Sequence, residues 1–217
     1  MKIRAVVPVK LNNERFPNKN LAELHGKPLC RYLLETLADI PDLETTVYCS
    51  DEKILPYLPE GVSFFRRDAK LDGFSVQRQE IVLSMLRDLY ADVYVYAHVT
   101  NPFLTAQSVQ RAISAVAEEG YDTALGVTEH RTYAWHRGEA VNFDREDLKR
   151  SQDIDPVYLE MGLFVFKRSV AERNGSVYGG RIKFLTVSDI EAVDINYPQD
   201  MAYAERMLEK MERERSR

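Results

Sequence analysis

Hydrophobic and polar positions alternate between strand-like and helix-like patterns along most of the chain. Short runs rich in β-branched and aromatic residues predict strands at residues 3–9, 45–49, 62–65, 93–99, 122–127, 158–166 and 182–187. Apolar positions with a helical period predict helices at residues 28–38, 75–89, 106–117 and 198–211. The run at 93–99 is apolar on both faces, as expected for the covered centre of a parallel sheet.

This alternation predicts an α/β fold with a Rossmann-like, mostly parallel sheet and helices on both faces. Residues 129–160 are polar and aromatic without a helical period, so they are expected to form an excursion of short strands and loops within one domain spanning residues 1–217. Residues 212–217 are expected to be a solvated end. Ligands of such sheets bind at the carboxyl ends of the strands, which directs attention to the loops after Val9, Ser50, Phe65 and Val99.

Composition narrows the classes of partner. The net charge of −5 disfavours binding along duplex nucleic acid, which requires clustered cations, but it leaves room for a small anionic ligand. No apolar stretch approaches the roughly 20 residues that span a bilayer, and the first residues do not resemble a signal peptide. Cys30 and Cys49 lie in apolar surroundings and are expected to be reduced core residues. A soluble, cytoplasmic protein is therefore expected.

The loop after the first predicted strand carries the densest polar chemistry. Lys10, Arg15 and Lys19 are three cations within ten residues. Asparagines between them favour tight turns with exposed backbone N–H groups, an arrangement that a triphosphate requires. The alternative is a solvated, charged surface loop. The loop contains no Gly-x-x-x-x-Gly-Lys motif, which disfavours a P-loop ATPase.

The order Pro8-x-Lys10-x-x-x-x-Arg15-x-Pro17-x-Lys19-Asn20 resembles the signature of the acylneuraminate cytidylyltransferases (CMP-sialic acid synthetases), within the sugar nucleotidyltransferase group. Similar blocks follow in order at residues 47–51, 67–71, 98–104, 150–162 and 191–200. The chain departs from the family pattern in having Lys10 for Arg, Leu11-Asn12-Asn13 for Gly-Gly-Ser, and Asn196 for a second aspartate. Further departures are Asn18 for Gly, Leu104 for Arg and Met161 for Asn.

The resemblance implies a role for each block. Residues near the phosphates would be Lys10, Asn13, Arg15 and Lys19, with the three cations as the catalytic groups. Residues near the ribose and base would be Asn20, Arg67 and Ser75. Residues near the acceptor sugar would be His98, Thr100, Asn101, Arg150, Gln152, Tyr158 and Glu160, with Arg150 holding a carboxylate. Ligands of Mg²⁺ would be Asp194 and Asn196.

Several of these residues have a structural alternative. Arg67 follows Arg66 and could be a surface residue. His98 suits a hydrogen-bonded core position as well as a contact to the sugar. Asn196 and Asp200 could cap the last predicted helix.

The resemblance implies a nucleotide-diphospho-sugar transferase fold and a Mg²⁺-dependent cytidylyltransferase. This enzyme would join CTP to an acidic 2-keto-3-deoxy sugar of the nonulosonic acid type, giving a CMP-sugar and pyrophosphate. The excursion corresponds to the family's dimerisation element, which implies a homodimer, although a self-contained lid is an alternative. Two rival functions stay open: a nucleotidyltransferase with another acceptor or nucleotide, and a non-catalytic nucleotide-binding protein.

Overall fold

The computed structural model describes residues 1–215, in which strands and helices alternate as the sequence predicts. The strands are β1 (Ile3–Pro8), β2 (Glu23–Leu24), β3 (Lys27–Pro28), β4 (Glu44–Cys49), β5 (Val62–Arg66), β6 (Val93–Ala97), β7 (Thr123–His130), β8 (Trp135–His136), β9 (Glu139–Ala140), β10 (Val157–Lys167) and β11 (Ile182–Thr186). The helices are α1 (Leu29–Ala38), α2 (Arg78–Asp88), α3 (Ala106–Ala117), α4 (Arg168–Asn174) and α5 (Pro198–Arg215).

Seven of the described strands form one sheet in the order β11-β7-β10-β6-β1-β4-β5. Neighbours pair in parallel except β10, which lies antiparallel to both β6 and β7. Apolar residues of α1 and α3 pack on one face of the sheet, and those of α2 and α4 pack on the other. The predicted mostly parallel α/β sheet with helices on both faces is confirmed.

The centre of the sheet is buried because its strands are covered on both sides. Every residue of β6 is buried, as its unbroken apolar run predicts. Leu33 and Leu37 of α1 and Met85 of α2 are also buried. Complete burial of each such side chain contributes roughly 1.5–3 kcal/mol. This core holds the carboxyl ends of β1, β5 and β6 at one edge of the sheet.

Some boundaries differ from the prediction for local reasons. The helix predicted from residue 75 begins at Arg78, because the backbone N–H of Gln77 donates to the Glu80 side chain at 2.9 Å and caps the helix there. Helix α4 was not predicted from the sequence; it has seven residues and ends at Gly175 with φ +60°. A helix of two turns carries too few apolar positions for its period to stand out.

Residues 129–160 form the expected excursion of short strands and loops. β7 and β10 extend into it as an antiparallel pair in which Val157 lies opposite His130. The hairpin of β8 and β9 follows, and Phe143 contacts both Tyr133 and Trp135 at centroid distances of 4.9 and 5.1 Å. Trp135 is 56% exposed, so this aromatic cluster is largely open to solvent within one chain.

The last helix is longer than predicted and includes residues 212–215 of the expected solvated end. Ser216 and Arg217, which belong to the same prediction, lie outside the described residues. Cys30 and Cys49 are free and buried, and burial raises the pKa of the Cys30 thiol to about 12. Within residues 1–215, no helix combines the length and the apolar character needed to cross a bilayer.

Candidate active site

A polar cleft of about 370 Å³ opens at the carboxyl ends of the central strands. It is lined by Pro8, Val9, Lys10, Asn13, Arg15, Lys19, Asn20, Arg67, Leu71, Gly73, Val76, Ile81, Tyr96, His98, Val99, Thr100, Asp194 and Asn196. An adjoining lobe of about 250 Å³ shares Lys10, Arg15 and Lys19 and is also lined by Phe74. Four cations thus face one region of a protein whose net charge is −5. The cleft lies where the topology of the sheet predicts a ligand site.

Lys19 is the most enclosed cation of the first loop. It begins a short 3₁₀ turn after Asn18, whose φ of 56° is tolerated by asparagine. Its ammonium donates to the Ile195 carbonyl at 2.7 Å. Burial lowers the pKa of Lys19, and the nearby charge of Asp194 opposes that shift. The first loop is therefore folded into the protein here, and is not a wholly solvated surface loop.

Two asparagines support the loop and leave polar atoms available. Asn20 donates its amide to the Lys10 carbonyl at 2.8 Å, which fixes the start of the loop against its end. The side-chain oxygens of Asn13 and Asn20 are buried and have no hydrogen-bond partner among the described residues. Both side chains line the cleft, so a bound ligand is the missing partner that their position supports.

A chain of hydrogen bonds joins the first loop to the segment after β11. Arg15 donates to the Asn196 side-chain oxygen at 2.6 Å, and the Asn196 amide donates to Asp194 at 2.6 Å. Asp200 accepts from the backbone N–H groups of Asn196 and Tyr197 at the start of α5. Asp200 is thus the helix cap that the sequence offered as an alternative, whereas Asn196 connects a cation to a carboxylate.

Arg67 is buried, so its interpretation as a surface residue is wrong. Its guanidinium donates to Asp72 at 2.7 Å and lies over the Tyr48 ring at 5.9 Å. Nε and Nη1 of Arg67 have no hydrogen-bond partner in the described part of the chain. A buried arginine that lines a cleft with unused donors is a candidate for contact with a ligand.

His98 and Thr100 line the cleft after β6. The His98 backbone N–H donates to the Gly162 carbonyl at 2.9 Å. Burial, together with the charge of Arg78, lowers the pKa of His98 to about 4, so the imidazole is neutral at neutral pH. His98 therefore presents a neutral hydrogen-bonding group to the cleft.

Asn101 does not reach the cleft, contrary to its predicted contact with the sugar. It is fully buried, and its amide donates to the Val193 carbonyl at 3.0 Å. Its side-chain oxygen lies so near Gly162 that a Cβ at that glycine would be 2.2 Å away. Asn101 therefore ties the loop after β6 to the segment that carries Asp194.

Five other predicted residues lie outside the cleft lining. Arg150 is 74% exposed and pairs with Asp153 at 2.8 Å within its own turn. Glu160 pairs with Arg78 at 3.1 Å and accepts from the Tyr178 hydroxyl. The remaining three, all exposed, are Ser75, Gln152 and Tyr158. Exposed positions on the excursion and on β10 do not fold back over the cleft of the same chain.

Most of the apolar lining and two charged supports were not identified from the sequence. Leu71 ends the block at residues 67–71, whereas Val76 and Ile81 line the cleft without a motif that distinguishes them from core residues. Asp72 and Arg78 were also not identified, because only the folded chain shows that they pair with Arg67 and Glu160. The helical period of α2 was the one signal that pointed toward Ile81.

The oxygen ligands of the cleft suit a metal ion that is bound mainly by water and by the phosphates of its ligand. Among the described residues, Asp194 is the only acidic side chain that lines the larger cleft. The Asn196 oxygen already accepts from Arg15, so its predicted role as a metal ligand is not supported by its position. Across residues 1–215, no group of three or more His, Cys, Asp or Glu side chains could hold a metal ion. Mg²⁺ is commonly bound by one or two carboxylates plus waters and substrate phosphates, and Asp194 fits that pattern.

The sheet order and the cationic cleft define an α/β protein with a site for a phosphorylated ligand. CMP:2-keto-3-deoxy-manno-octonic acid synthetase, solved in complex with CTP, has a similar fold, with a TM-score of 0.69 and 13% identity over 97% of this chain and 100% of that chain. Pseudaminic acid cytidylyltransferase of Campylobacter jejuni subsp. jejuni serotype O:2 is 26% identical over 79% of this chain and 80% of its own length. CMP-N,N'-diacetyllegionaminic acid synthase of Legionella pneumophila subsp. pneumophila is 24% identical over 96% of this chain and 97% of its own length. The chain belongs to the cytidylyltransferase family, whose model matches residues 4–215.

Proposed function

We propose that this cytidylyltransferase joins CTP to an acidic 2-keto-3-deoxy sugar of the nonulosonic acid type, forming a CMP-sugar and releasing pyrophosphate. The observation that carries the proposal is the convergence of Lys10, Arg15, Lys19 and Arg67 on one cleft that also holds Asp194. The names of the relatives, which describe pseudaminic and legionaminic acid enzymes, support this class of acceptor.

The nucleotide would lie along the cleft with its phosphates against the first loop. Lys10, Arg15 and Lys19 would bind the triphosphate, together with Asn13. The adjoining lobe that these cations share would receive the leaving pyrophosphate. Asn20 and Arg67 would contact the ribose and base with their unused polar atoms.

Catalysis would rest on positioning and charge stabilisation. The anomeric hydroxyl oxygen attacks the α-phosphorus in line, the bond to the β,γ-pyrophosphate breaks, and the hydroxyl proton passes to solvent. Fixed cations stabilise the negative charge that develops on the α-phosphate and on the leaving group. Mg²⁺, held by Asp194 and the phosphates, would supply further charge neutralisation. His98 and Thr100 would form hydrogen bonds to the acceptor.

The carboxylate of the acceptor would be held by Arg150 of a second copy of the chain. Arg150 does not line the cleft of its own chain, and the excursion that carries it exposes Trp135, Val141 and Leu148. Large exposed apolar side chains are typical of the centre of a protein interface. A homodimer is therefore part of the proposal. A cytoplasmic location is also proposed, and the free cysteines support it.

The direct test measures pyrophosphate release by the purified protein with CTP, Mg²⁺ and a panel of nonulosonic acids. We expect turnover with at least one acid and none when CTP or the acid is omitted. Binding of CTP without turnover across the panel would instead favour the non-catalytic alternative. Turnover with another nucleotide or a non-acidic acceptor would favour the rival nucleotidyltransferase. Absence of CTP binding by folded protein would contradict the proposal itself.

A further inference from the structure

Asp72 lies where three loops of the nucleotide end of the cleft meet. It ends a 3₁₀ turn, Ala69–Asp72, that follows β5. The loops after β1, β4 and β5 each contribute one of its partners. Its carboxylate is less than one-fifth exposed, with a side-chain accessibility of 19%. None of the motifs in the sequence includes it.

Each polar group of Asp72 that faces these loops is engaged. Oδ1 accepts from Arg67 Nη2 at 2.7 Å, and Oδ2 accepts from the Ser50 hydroxyl. The backbone carbonyl of Asp72 accepts from the Asn12 amide at 3.3 Å. Asp72 thus connects the loop after β1, the end of β4 and Arg67, which is proposed to face the base.

Arg67 depends on this carboxylate for its counter-charge and its orientation. The Arg67 side chain is only 1% exposed, and a buried cation without a counter-charge is strongly unfavourable. Asp72 supplies the counter-charge at one nitrogen, while the Tyr48 ring supports the face of the guanidinium. The remaining nitrogens, Nε and Nη1, keep their donors free of partners among the described residues.

We propose that Asp72 is a positioning residue for nucleotide recognition, which fixes Arg67 and links the three loops before CTP binds. The proposal rests on the proposed function, because it takes CTP as the ligand that Arg67 faces. Cytosine offers acceptors at O2 and N3, whereas uracil carries an N–H donor at N3. An arginine held with free donors therefore favours cytosine, and an arginine that has lost its anchor should favour it less.

The test compares Asp72→Asn with Asp68→Asn by titration calorimetry with CTP and with UTP in the presence of Mg²⁺. Asp68 is a matched control because it is exposed and caps the same turn through the Lys70 N–H, a role that asparagine can fill. We expect Asp72→Asn to weaken CTP binding roughly ten- to a hundredfold and to weaken UTP binding less. Asp68→Asn should bind both nucleotides as the wild type does.

The outcomes separate this proposal from the function on which it rests. Wild-type protein that does not bind CTP contradicts the proposed function. Normal CTP binding by Asp72→Asn, or equal losses for CTP and UTP, overturns the role of Asp72 alone. If Asp72→Asn does not fold, Ser50→Ala removes only the second carboxylate contact and decides the question. A reduced preference of Ser50→Ala for CTP over UTP supports the proposal, and an unchanged preference overturns it.

Discussion

The proposed nucleotide end and the proposed acceptor end of the cleft are built differently. At the nucleotide end, three of the cations each have a partner inside the same chain: Lys19 has the Ile195 carbonyl, Arg15 has Asn196 and Arg67 has Asp72. At the acceptor end, His98 and Thr100 line the cleft, but Arg150 is exposed and paired within its own turn. Under the proposed function, the chain preorganises its charge for phosphates, whereas the cleft of one copy lacks the cation proposed for the acidic sugar.

This difference follows from what each ligand requires. Stabilising a triphosphate requires several cations that are held in place before the reaction. Such cations stay in position only if each is fixed by a partner in the protein. A single carboxylate requires one forked cation, which a neighbouring chain can supply.

Replacing Lys19 should give the largest loss. Lys19→Met removes an enclosed ammonium that also holds the Ile195 carbonyl. We expect kcat/KM for CTP to fall about 10²–10³-fold, as for loss of a preorganised charged donor. Pyrophosphate release measures the effect, and Lys53→Met, at a side chain 82% exposed, is the control. A loss below about tenfold in folded protein would show that the ammonium is not at the reacting phosphates.

Replacing Arg150 should affect the acceptor and spare the nucleotide. For Arg150→Ala we expect the KM of the acidic sugar to rise roughly tenfold or more, with the KM of CTP unchanged. Initial rates at varied sugar concentration measure the change. An equal rise in both KM values would place Arg150 outside acceptor recognition.

A mixing experiment tests whether Arg150 acts across a dimer. The Lys19→Met and Arg150→Ala chains are combined and allowed to exchange, and activity is measured at a sugar concentration below KM, where each variant alone keeps at most about a tenth of the wild-type rate. Half of the dimers are then mixed, and each mixed dimer has one intact site, so about a quarter of the wild-type activity should return. Each variant mixed with itself is the control. If no activity returns although exchange is shown by tagged chains, Arg150 serves its own chain.

His98 should make the fold sensitive to mild acid. Its pKa is lowered to about 4 in the folded state from an ordinary value of 6.5, so the unfolded chain takes up a proton first as the pH falls. The free energy of unfolding of the wild type, compared with that of His98→Gln, is therefore highest above pH 6.5. It falls between pH 6.5 and pH 4 by at most about 1.4 kcal/mol per pH unit. Urea unfolding at several pH values measures this difference. His136→Gln, at an exposed position, should follow the wild type. Parallel curves for wild type and His98→Gln would contradict the prediction.

Asn196→Asp should produce the smallest effect. It places a second carboxylate beside Asp194, where the amide now donates at 2.6 Å. Repulsion between the carboxylates should make added Mg²⁺ raise the melting temperature of the variant by about 2 °C more than that of the wild type. Thermal unfolding with EDTA and with Mg²⁺ measures this, and Gln199→Glu gives the same charge change at an exposed control position. Identical Mg²⁺ shifts would indicate that the cation does not approach residue 196.

Local pattern predicted much of the fold and the nucleotide end of the site. The seven strands of the large sheet and the four longer helices were visible because burial imposes a period on apolar residues. Lys10, Arg15 and Lys19 were visible because they are close in sequence. Asp72 and Arg78 were not, because a single charged residue carries no sign of its partner. Arg150 was placed by resemblance, and the single chain leaves it away from the cleft.

The order of apolar and polar residues by itself determined an alternating α/β chain and a cationic loop after its first strand, since both depend on neighbours along the backbone. Only the tertiary structure decided that Arg15 meets Asn196 across 181 positions, that Arg67 is buried on Asp72, and that Asn101 supports the site without facing the ligand. The contacts of Arg15 and Asn101 depend on how the sheet order brings the loops after β1 and β6 against the segment after β11. Sheet order is set by the packing of the whole core, which no local segment encodes.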